Sequence, residues 1–313
     1  MKKLLGFMLL IFLSRAEANV TEWISFTVDN GAVVVPVTIN GEKAKAVIDS
    51  TARANLLSSD FIAKNKSKLR QSGVTLFKDE KGERNAEVFK DVKVGVFGTE
   101  LEFSELIATP ESQGELVLGI PFFRQNIVQF DFPNKRMRLI GHGSIDMQKI
   151  SNIEMKSVQD SRSASTPGKQ SIKKNDLSSR ALNIAINGKS SWLVFDTADV
   201  TGVSLSREYA KSVNAMDKPY SGDSGYFTAQ FNSNIEVFSL ASLKIGPYEL
   251  EDVPALVEAE GAERIIPAVS RKVSTGTYLN KAILPDGVIG TDVMQHFVVT
   301  FDYSNSLVSF VVM

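Results

Sequence analysis

The feature of this sequence that most constrains its fold is an internal duplication. Residues 37–41 end in Asn-Gly and are followed eight residues after the glycine by Asp49, and residues 184–188 are followed at the same spacing by Asp196. Both aspartates end an apolar run, and both precede a hydroxyl residue. The two copies are offset by 147 residues (188 − 41). A repeat with fixed spacing predicts that the two halves adopt similar structures.

Two further landmarks repeat in the same order. Gly119 and Gly290 each end an apolar run, and each stands 12 residues before another aspartate. Upstream of these glycines, both halves carry an apolar–Lys–apolar–Gly motif, at 92–95 and 243–246. Three landmarks that match in one order are hard to obtain by chance, so the duplication covers most of each half.

Each half is predicted to be mostly β-strand. Short apolar and β-branched runs alternate with turn dipeptides, and the Asn-Gly pair of the first landmark predicts a β-hairpin in both halves. Helix signals are few: residues 58–60 can cap a short helix over 61–69, and Ser206 can cap one over 207–213. The predicted fold class is therefore all-β, with two pseudo-symmetric lobes and a central cleft.

The sequence divides into four segments. Residues 1–18 carry two lysines, an apolar stretch and an Ala-Glu-Ala ending, which is typical of a secretory signal peptide; a short N-terminal membrane anchor is the alternative. Residues 19–156 form the first predicted lobe and residues 180–313 the second. The polar stretch 157–179 has the composition of a linker. We expect an exported protein, periplasmic or secreted, with no membrane span once the signal is removed.

Composition excludes several classes of function. The chain has no cysteine and two histidines, which argues against disulfides, a thiolate nucleophile and a multi-histidine metal site. Its formal net charge of −1 lacks the basic excess of a nucleic-acid-binding protein. We therefore expect no cofactor, no bound metal and no nucleic-acid partner. His296 is predicted to be buried in a core strand, and His142 to lie in a loop.

The paired aspartates can perform chemistry if the two halves meet about a twofold axis. A single aspartate at a strand end is most often a structural turn cap. In a duplicated chain, however, Asp49 and Asp196 would face each other across the cleft. Two carboxylates about 3 Å apart cannot both ionise. A pair that shares one proton can activate water and protonate a carbonyl oxygen, which hydrolyses an amide without histidine, cysteine or metal.

These motifs resemble the retropepsin and pepsin family of aspartic peptidases, most closely the bacterial exported members with a retropepsin-like unit in each half. Asp49-Ser50 and Asp196-Thr197, each after two apolar residues, match the family's catalytic motif. The resemblance implies that Asp49 and Asp196 are catalytic and that Ser50 and Thr197 cross-link their loops. It also implies a peptide or protein ligand in an extended conformation.

Two further comparisons with the family concern the residues around Asp49 and Asp196, the pair called the dyad below. One is a second family signature, and the other is a departure from the catalytic motif. Gly119 and Gly290 match the glycine of a strand that crosses behind the active-site loop. After each Asp-Ser/Thr pair the family has a glycine that admits substrate and gives an amide to the carboxylates, whereas this chain has Thr51 and Ala198. A β-carbon should crowd both roles. Asp199 follows as a third acid, which should raise the apparent pKa values of the dyad.

Two functions of different classes stay open on the sequence. The first is an exported aspartic endopeptidase whose dyad activates water. The second is an inactive relative that binds a peptide or a partner protein in the same cleft, and the missing glycines favour it. A glycine-rich flap is not evident in the first half, where 81–82 is a weak candidate; in the second half, 221–226 is either a mobile flap or an ordinary turn.

Overall fold

A computed structural model describes residues 20–79, 82–110, 114–158, 177–199, 202–222, 234–262 and 283–313. The predicted signal peptide and most of the predicted linker lie outside these ranges. Within them most of the regular secondary structure is β-strand, in one sheet of 10 strands and one of 14. None of the helices in the described ranges is long and apolar enough to cross a lipid bilayer.

The first half contributes thirteen strands and three short helices to the described structure. The strands are β1 (Ile24–Ser25), β2 (Thr27–Asp29), β3 (Ala32–Ile39), β4 (Glu42–Ile48), β5 (Leu56–Ser58), β6 (Arg70–Asp79), β7 (Gly82–Lys90), β8 (Val92–Val96), β9 (Thr99–Phe103), β10 (Leu106–Thr109), β11 (Leu116–Leu118), β12 (Ile127–Asp131) and β13 (Arg136–Ile140). The helices are α1 (Ser59–Asn65), continued by a 3₁₀ turn (Lys66–Lys68), α2 (Ile120–Gln125) and α3 (Met147–Ile150).

The second half repeats much of this order among the described residues. Its strands are β14 (Ile153–Ser157), β15 (Arg180–Ile186), β16 (Lys189–Phe195), β17 (Val203–Leu205), β18 (Ile235–Leu240), β19 (Leu243–Ile245), β20 (Tyr248–Leu250), β21 (Val253–Glu258), β22 (Gly287–Ile289), β23 (Val298–Asp302) and β24 (Leu307–Val311). Its helices are α4 (Arg207–Ser212) and α5 (Thr291–Met294). Strands β2–β11 form the smaller sheet, and β1 with β12–β24 form the larger one.

The predicted hairpins and helix caps are confirmed. Asn40 and Gly41 have φ values of 46° and 85°, and Asn187 and Gly188 have 47° and 78°. Positive φ at both central residues gives the tight turn whose twist matches antiparallel strands, here β3–β4 and β15–β16. The N-cap hydroxyls accept hydrogen bonds from backbone amides three residues on, at 3.2 Å for Ser58 and 3.3 Å for the cap of α4.

The two halves are joined by antiparallel pairing of β12 with β23. Gln129 lies opposite Thr300, which is its equivalent in the repeat, and Gln129 Nε2 donates to Thr300 Oγ1 at 2.8 Å. The register is symmetric about this pair, because the flanking residues face each other's equivalents: Val128 faces Phe301 and Phe130 faces Val299. The pseudo-twofold axis predicted from the duplication therefore passes through the larger sheet.

Aromatic side chains beneath this sheet connect the halves to the aspartate loops. The Phe195 and Phe301 rings are 5.0 Å apart, and the Phe301 ring packs edge-on against Phe123 at 5.8 Å. All three side chains are buried. Such pairs contribute roughly 0.5–1.5 kcal/mol each beyond their buried area. Because Phe195 immediately precedes Asp196, this cluster fixes the strand end from which that aspartate projects.

Strand β14 belongs to the second half by its pairing. It pairs with β24 at Ile153 and with β15 from Met155 to Ser157, as β1 and β2 pair with β13 and β3 in the first half. Residues 153–156 are predicted from the sequence to lie in the first lobe, but they pair with second-half strands. The polar stretch after them connects two paired strands of one sheet.

One histidine lies elsewhere than the sequence predicted. His296 is exposed in a turn between α5 and β23, not buried in a core strand. Its neighbours Met294 and Phe297 are buried, and this apolar context made the segment resemble a continuous strand. His142 lies in an exposed turn, as expected.

Candidate active site

The two aspartates stand on the same backbone frame in each half. Asp49 follows β4 and Asp196 follows β16, each beside a parallel strand, β11 or β22. The amide of Asp49 donates to the carbonyl oxygen of Leu118 at 3.0 Å, and the amide of Asp196 donates to that of Ile289 at 3.1 Å. The pairing of β4 with β11 and of β16 with β22 therefore places the two aspartates at equivalent positions, each at the end of its strand.

The hydroxyl residues after the aspartates cross-link the two loops. The Ser50 amide donates to Thr197 Oγ1 at 3.0 Å, and the Thr197 amide donates to Ser50 Oγ at 3.1 Å. Each hydroxyl also donates to a carbonyl of the opposite half, Ser50 to Phe195 at 2.8 Å and Thr197 to Ile48 at 2.6 Å. Both residues are at most 1% exposed, so this ring of hydrogen bonds is shielded from water. It holds the two loops together at the pseudo-twofold axis.

The structure brings Asp49 and Asp196 to one hydroxyl group. Asp49 Oδ1 accepts from the amides of Thr51 (2.8 Å) and Ala52 (2.9 Å) and from Thr51 Oγ1 (2.7 Å). Asp196 Oδ1 accepts from the Ala198 amide at 2.8 Å, and Asp196 Oδ2 lies 3.4 Å from Thr51 Oγ1. The two carboxylate oxygens therefore cannot be further apart than the sum of their distances to that hydroxyl, 2.7 and 3.4 Å.

The expectation that side chains at the third position disturb the amides is wrong. Thr51 and Ala198 stand where the family pattern has glycine, yet both amides donate to the preceding aspartate at 2.8 Å. Neither residue has a positive φ, so a β-carbon causes no backbone strain here. The direction of an amide depends on the backbone, which the sheet and the loop cross-link already fix.

Acidic side chains lie close together on the second-half side of the two aspartates. Desolvation of its carboxyl, followed by the charges of Asp49 and Asp199, raises the pKa of Asp196 well above its usual range. Desolvation and the charge of Asp199 also raise the pKa of Asp292. The effect of Asp199 is predicted from the sequence, whereas that of Asp292 is not. The position of Asp292 in the repeat could have indicated it: Asp292 lies two residues after Gly290, where the first half has Pro121.

The landmark glycines pack against the aspartate loops, at the ends of their strands. Gly119 follows β11 and is the N-cap of α2, and a β-carbon on it would lie 2.4 Å from the carbonyl oxygens of Ala52 and Ala54. The amide of Gly119 donates to the buried Asn55 Oδ1 at 2.9 Å, a contact that no sequence motif predicts. Gly290 follows β22 and is the N-cap of α5 in the same way. At Gly119, only glycine allows this close approach.

A long hairpin lies against the first aspartate loop. Strands β6 and β7 pair over nearly their whole length, and the side chains of Phe77 and Ala86 pack with Ala54 and Ile107. Its tip is the place of the weak flap candidate 81–82, of which residue 81 lies outside the described residues. The second candidate, 221–226, lies outside them from residue 223 onward.

The described residues contain no group of three or more His, Asp and Glu side chains placed to hold a metal ion.

Comparison with known proteins shows the fold. The aspartic proteinase from Irpex lacteus matches with a TM-score of 0.52 at 10% identity, over 94% of this chain and 97% of that one. A retropepsin-like aspartic protease from Rickettsia conorii matches 40% of this chain and 93% of its own, with a TM-score of 0.29 at 15% identity. EIAV protease, in complex with an inhibitor, matches 29% of this chain and 83% of its own, with a TM-score of 0.26 at 15% identity. No family model and no curated protein matches the sequence.

The full-length match confirms the predicted fold class. This chain has the all-β, two-lobed fold of pepsin-like aspartic proteases, with the cleft between pseudo-symmetric halves.

Proposed function

We propose that this protein is an exported aspartic-type endopeptidase that hydrolyses peptide bonds with water activated by Asp49 and Asp196. The observation that carries the proposal is the meeting of two carboxylates from equivalent loops at one hydroxyl, on loops cross-linked by buried side chains. In the proposed enzyme the two acids titrate together and retain one proton between them.

The surroundings of the two carboxylates give them different roles. Three donors converge on Asp49 Oδ1, so this oxygen already acts as a hydrogen-bond acceptor three times over. Desolvation and the nearby acids favour the protonated form of Asp196. We therefore assign Asp49 as the general base and Asp196 as the general acid.

The reaction proceeds by general acid–base steps that return the dyad to its starting state. Asp49 takes a proton from water as the water oxygen attacks the peptide carbonyl carbon, and Asp196 gives its proton to the carbonyl oxygen. The tetrahedral intermediate then collapses as Asp49 donates its proton to the leaving nitrogen and a hydroxyl of the intermediate returns a proton to Asp196. The substrate is a peptide or protein segment in an extended conformation, lying in the cleft beside the β6–β7 hairpin.

A digest across pH tests the activity. The purified protein is incubated with a mixed peptide library from about pH 3 to pH 8, and products are identified by mass spectrometry. We expect cleavage that pepstatin inhibits and that Asp49→Asn and Asp196→Asn both abolish. Asp60→Asn, at an exposed aspartate on α1, is the matched control and should cleave like wild type. Absence of cleavage by wild type at every pH would show that the peptidase proposal is wrong.

A second function is favoured by one specific observation. The Thr51 side chain lies between the carboxylates, where the family pattern has no side chain, and Ala198 adds a methyl group on the other loop. A cleft crowded in this way would bind a peptide or partner protein without cleaving it. Peptide binding measured by calorimetry, together with no cleavage by wild type and cleavage by the Thr51→Gly, Ala198→Gly double variant, would establish this alternative.

A further inference from the structure

The Thr51 hydroxyl contacts both members of the dyad. Its oxygen lies 2.7 Å from Asp49 Oδ1 and 3.4 Å from Asp196 Oδ2. A threonine hydroxyl has one proton to donate and two lone pairs that accept, so it cannot donate to both carboxylates at once. Both contacts become hydrogen bonds only if one carboxyl group is the donor and the other the acceptor.

Asp196 is the carboxyl that can donate. Asp49 Oδ1 already faces two backbone amides besides the hydroxyl, so a proton on that oxygen would point at other donors. Asp196 Oδ2 has the hydroxyl as its hydrogen-bond contact, while the Ala198 amide occupies Oδ1. A proton on Asp196 Oδ2 therefore completes a chain in which Asp196 donates to Thr51 and Thr51 donates to Asp49.

We propose that Thr51 is a positioning residue of the dyad, whose hydroxyl holds the shared proton on Asp196 and the negative charge on Asp49. The inference rests on the proposed function, because it assigns a role within that dyad. The second half has Ala198 at the equivalent position and so offers no competing hydroxyl. Asp199 acts in the same direction, since it adds negative charge beside Asp196.

The hydroxyl should widen the pH range over which one proton is shared. Loss of the proton from Asp196 removes one hydrogen bond of the chain, and addition of a second proton to Asp49 removes the other. A hydrogen bond to a charged group stabilises by tenfold or more, which corresponds to about one pKa unit. In a variant without the hydroxyl, the acid limb of the pH profile should move to higher pH by about one unit. The alkaline limb should move to lower pH by a smaller amount, because the 3.4 Å contact to Asp196 is the longer one.

Kinetics across pH test the inference in the full protein. The pH dependence of kcat/KM reports the free enzyme's apparent pKa values, measured here on a peptide identified in the library digest. We expect Thr51→Val, which keeps the shape and lacks the hydroxyl, to narrow the profile from both sides. Thr51→Ser should keep both limbs at their wild-type positions, and Thr99→Val, at an exposed threonine on β9, is the matched control. A steric role would lower the height of the profile and leave its limbs in place, and unchanged limbs in Thr51→Val would overturn the inference.

A second readout separates failure of this inference from failure of the proposed function. Carboxyl carbon NMR of protein labelled with ¹³C-aspartate follows the two titration steps of the dyad without any cleavage. Asp49→Asn identifies the signals, and urea unfolding shows that each variant is folded. We expect the two steps to lie closer together in Thr51→Val than in wild type or Thr51→Ser. If wild type cleaves nothing, the proposed function fails while this titration still decides the role of Thr51; steps equally far apart in all three proteins refute that role.

Discussion

Replacing Thr197 by valine removes one hydroxyl from the buried ring that joins the two aspartate loops. That hydroxyl accepts from the Ser50 amide at 3.0 Å and donates to the Ile48 carbonyl at 2.6 Å, at a residue with no exposed surface. Each such bond contributes about 1 kcal/mol net, and a buried amide left without a partner costs about 1–3 kcal/mol. We therefore expect Thr197→Val to lower the free energy of unfolding by about 2–4 kcal/mol, measured by equilibrium urea denaturation.

The partner variant shows whether the ring acts as a unit. Ser50→Ala removes the acceptor of the Thr197 amide. Either substitution alone therefore weakens the contact between the two aspartate loops, on which the hydrogen bonds of the remaining hydroxyl also depend. We expect the double variant to lose less stability than the sum of the single losses, with a coupling of about 1 kcal/mol. Ser50→Ala combined with Thr300→Val, on the central sheet and with no shared hydrogen-bond partner, should be additive to within about 0.5 kcal/mol. Additivity in the Ser50–Thr197 pair would refute the reasoning.

Further outcomes follow from the same geometry. Gly119→Ala should lower the melting temperature, because its β-carbon would lie 2.4 Å from two carbonyl oxygens, whereas Gly73→Ala, with nothing within 4 Å, should be tolerated. Asp199→Asn should move the alkaline limb of kcat/KM to lower pH, because it removes negative charge beside Asp196. The raised pKa of Asp196 means that stability falls as pH rises from the unfolded-state pKa towards the folded one, so urea titrations at neutral pH should find Asp196→Asn more stable than wild type. N-terminal sequencing of the exported protein should begin at Asn19.

The frame, meaning the hairpins and strand ends that carry the two aspartates, could be predicted from the sequence because it consists of backbone hydrogen bonds. Once an Asn-Gly turn sets the register of a hairpin, the residue that ends its second strand is fixed in space. The amides of Asp49 and Asp196 accordingly donate to equivalent carbonyls, those of Leu118 and Ile289. A fixed spacing in sequence thus became a fixed position in the fold.

Features that depend on side-chain environment could not be predicted in this way. The β6–β7 hairpin lacks a clean alternation, since Val74 and Leu76 are 62% and 66% exposed on its outer face while Phe77 packs inward. His296 stands among buried apolar residues and is nevertheless exposed. The proximity of Asp292 to Asp199 depends on the short helix α5, which has no side-chain cap.

The duplication builds a symmetric frame, whereas acid–base catalysis requires two carboxylates that behave differently. The frame retains its symmetry, because the amides at the third position donate equally to both aspartates. Three side-chain differences lie around the dyad: Thr51 against Ala198, Ala52 against Asp199, and Pro121 against Asp292. The first-half hydroxyl donates to Asp49, whereas desolvation, followed by the charges of Asp49 and Asp199, raises the pKa of Asp196. Because these separate differences favour the same placement of the proton, the division of roles does not depend on any one of them alone.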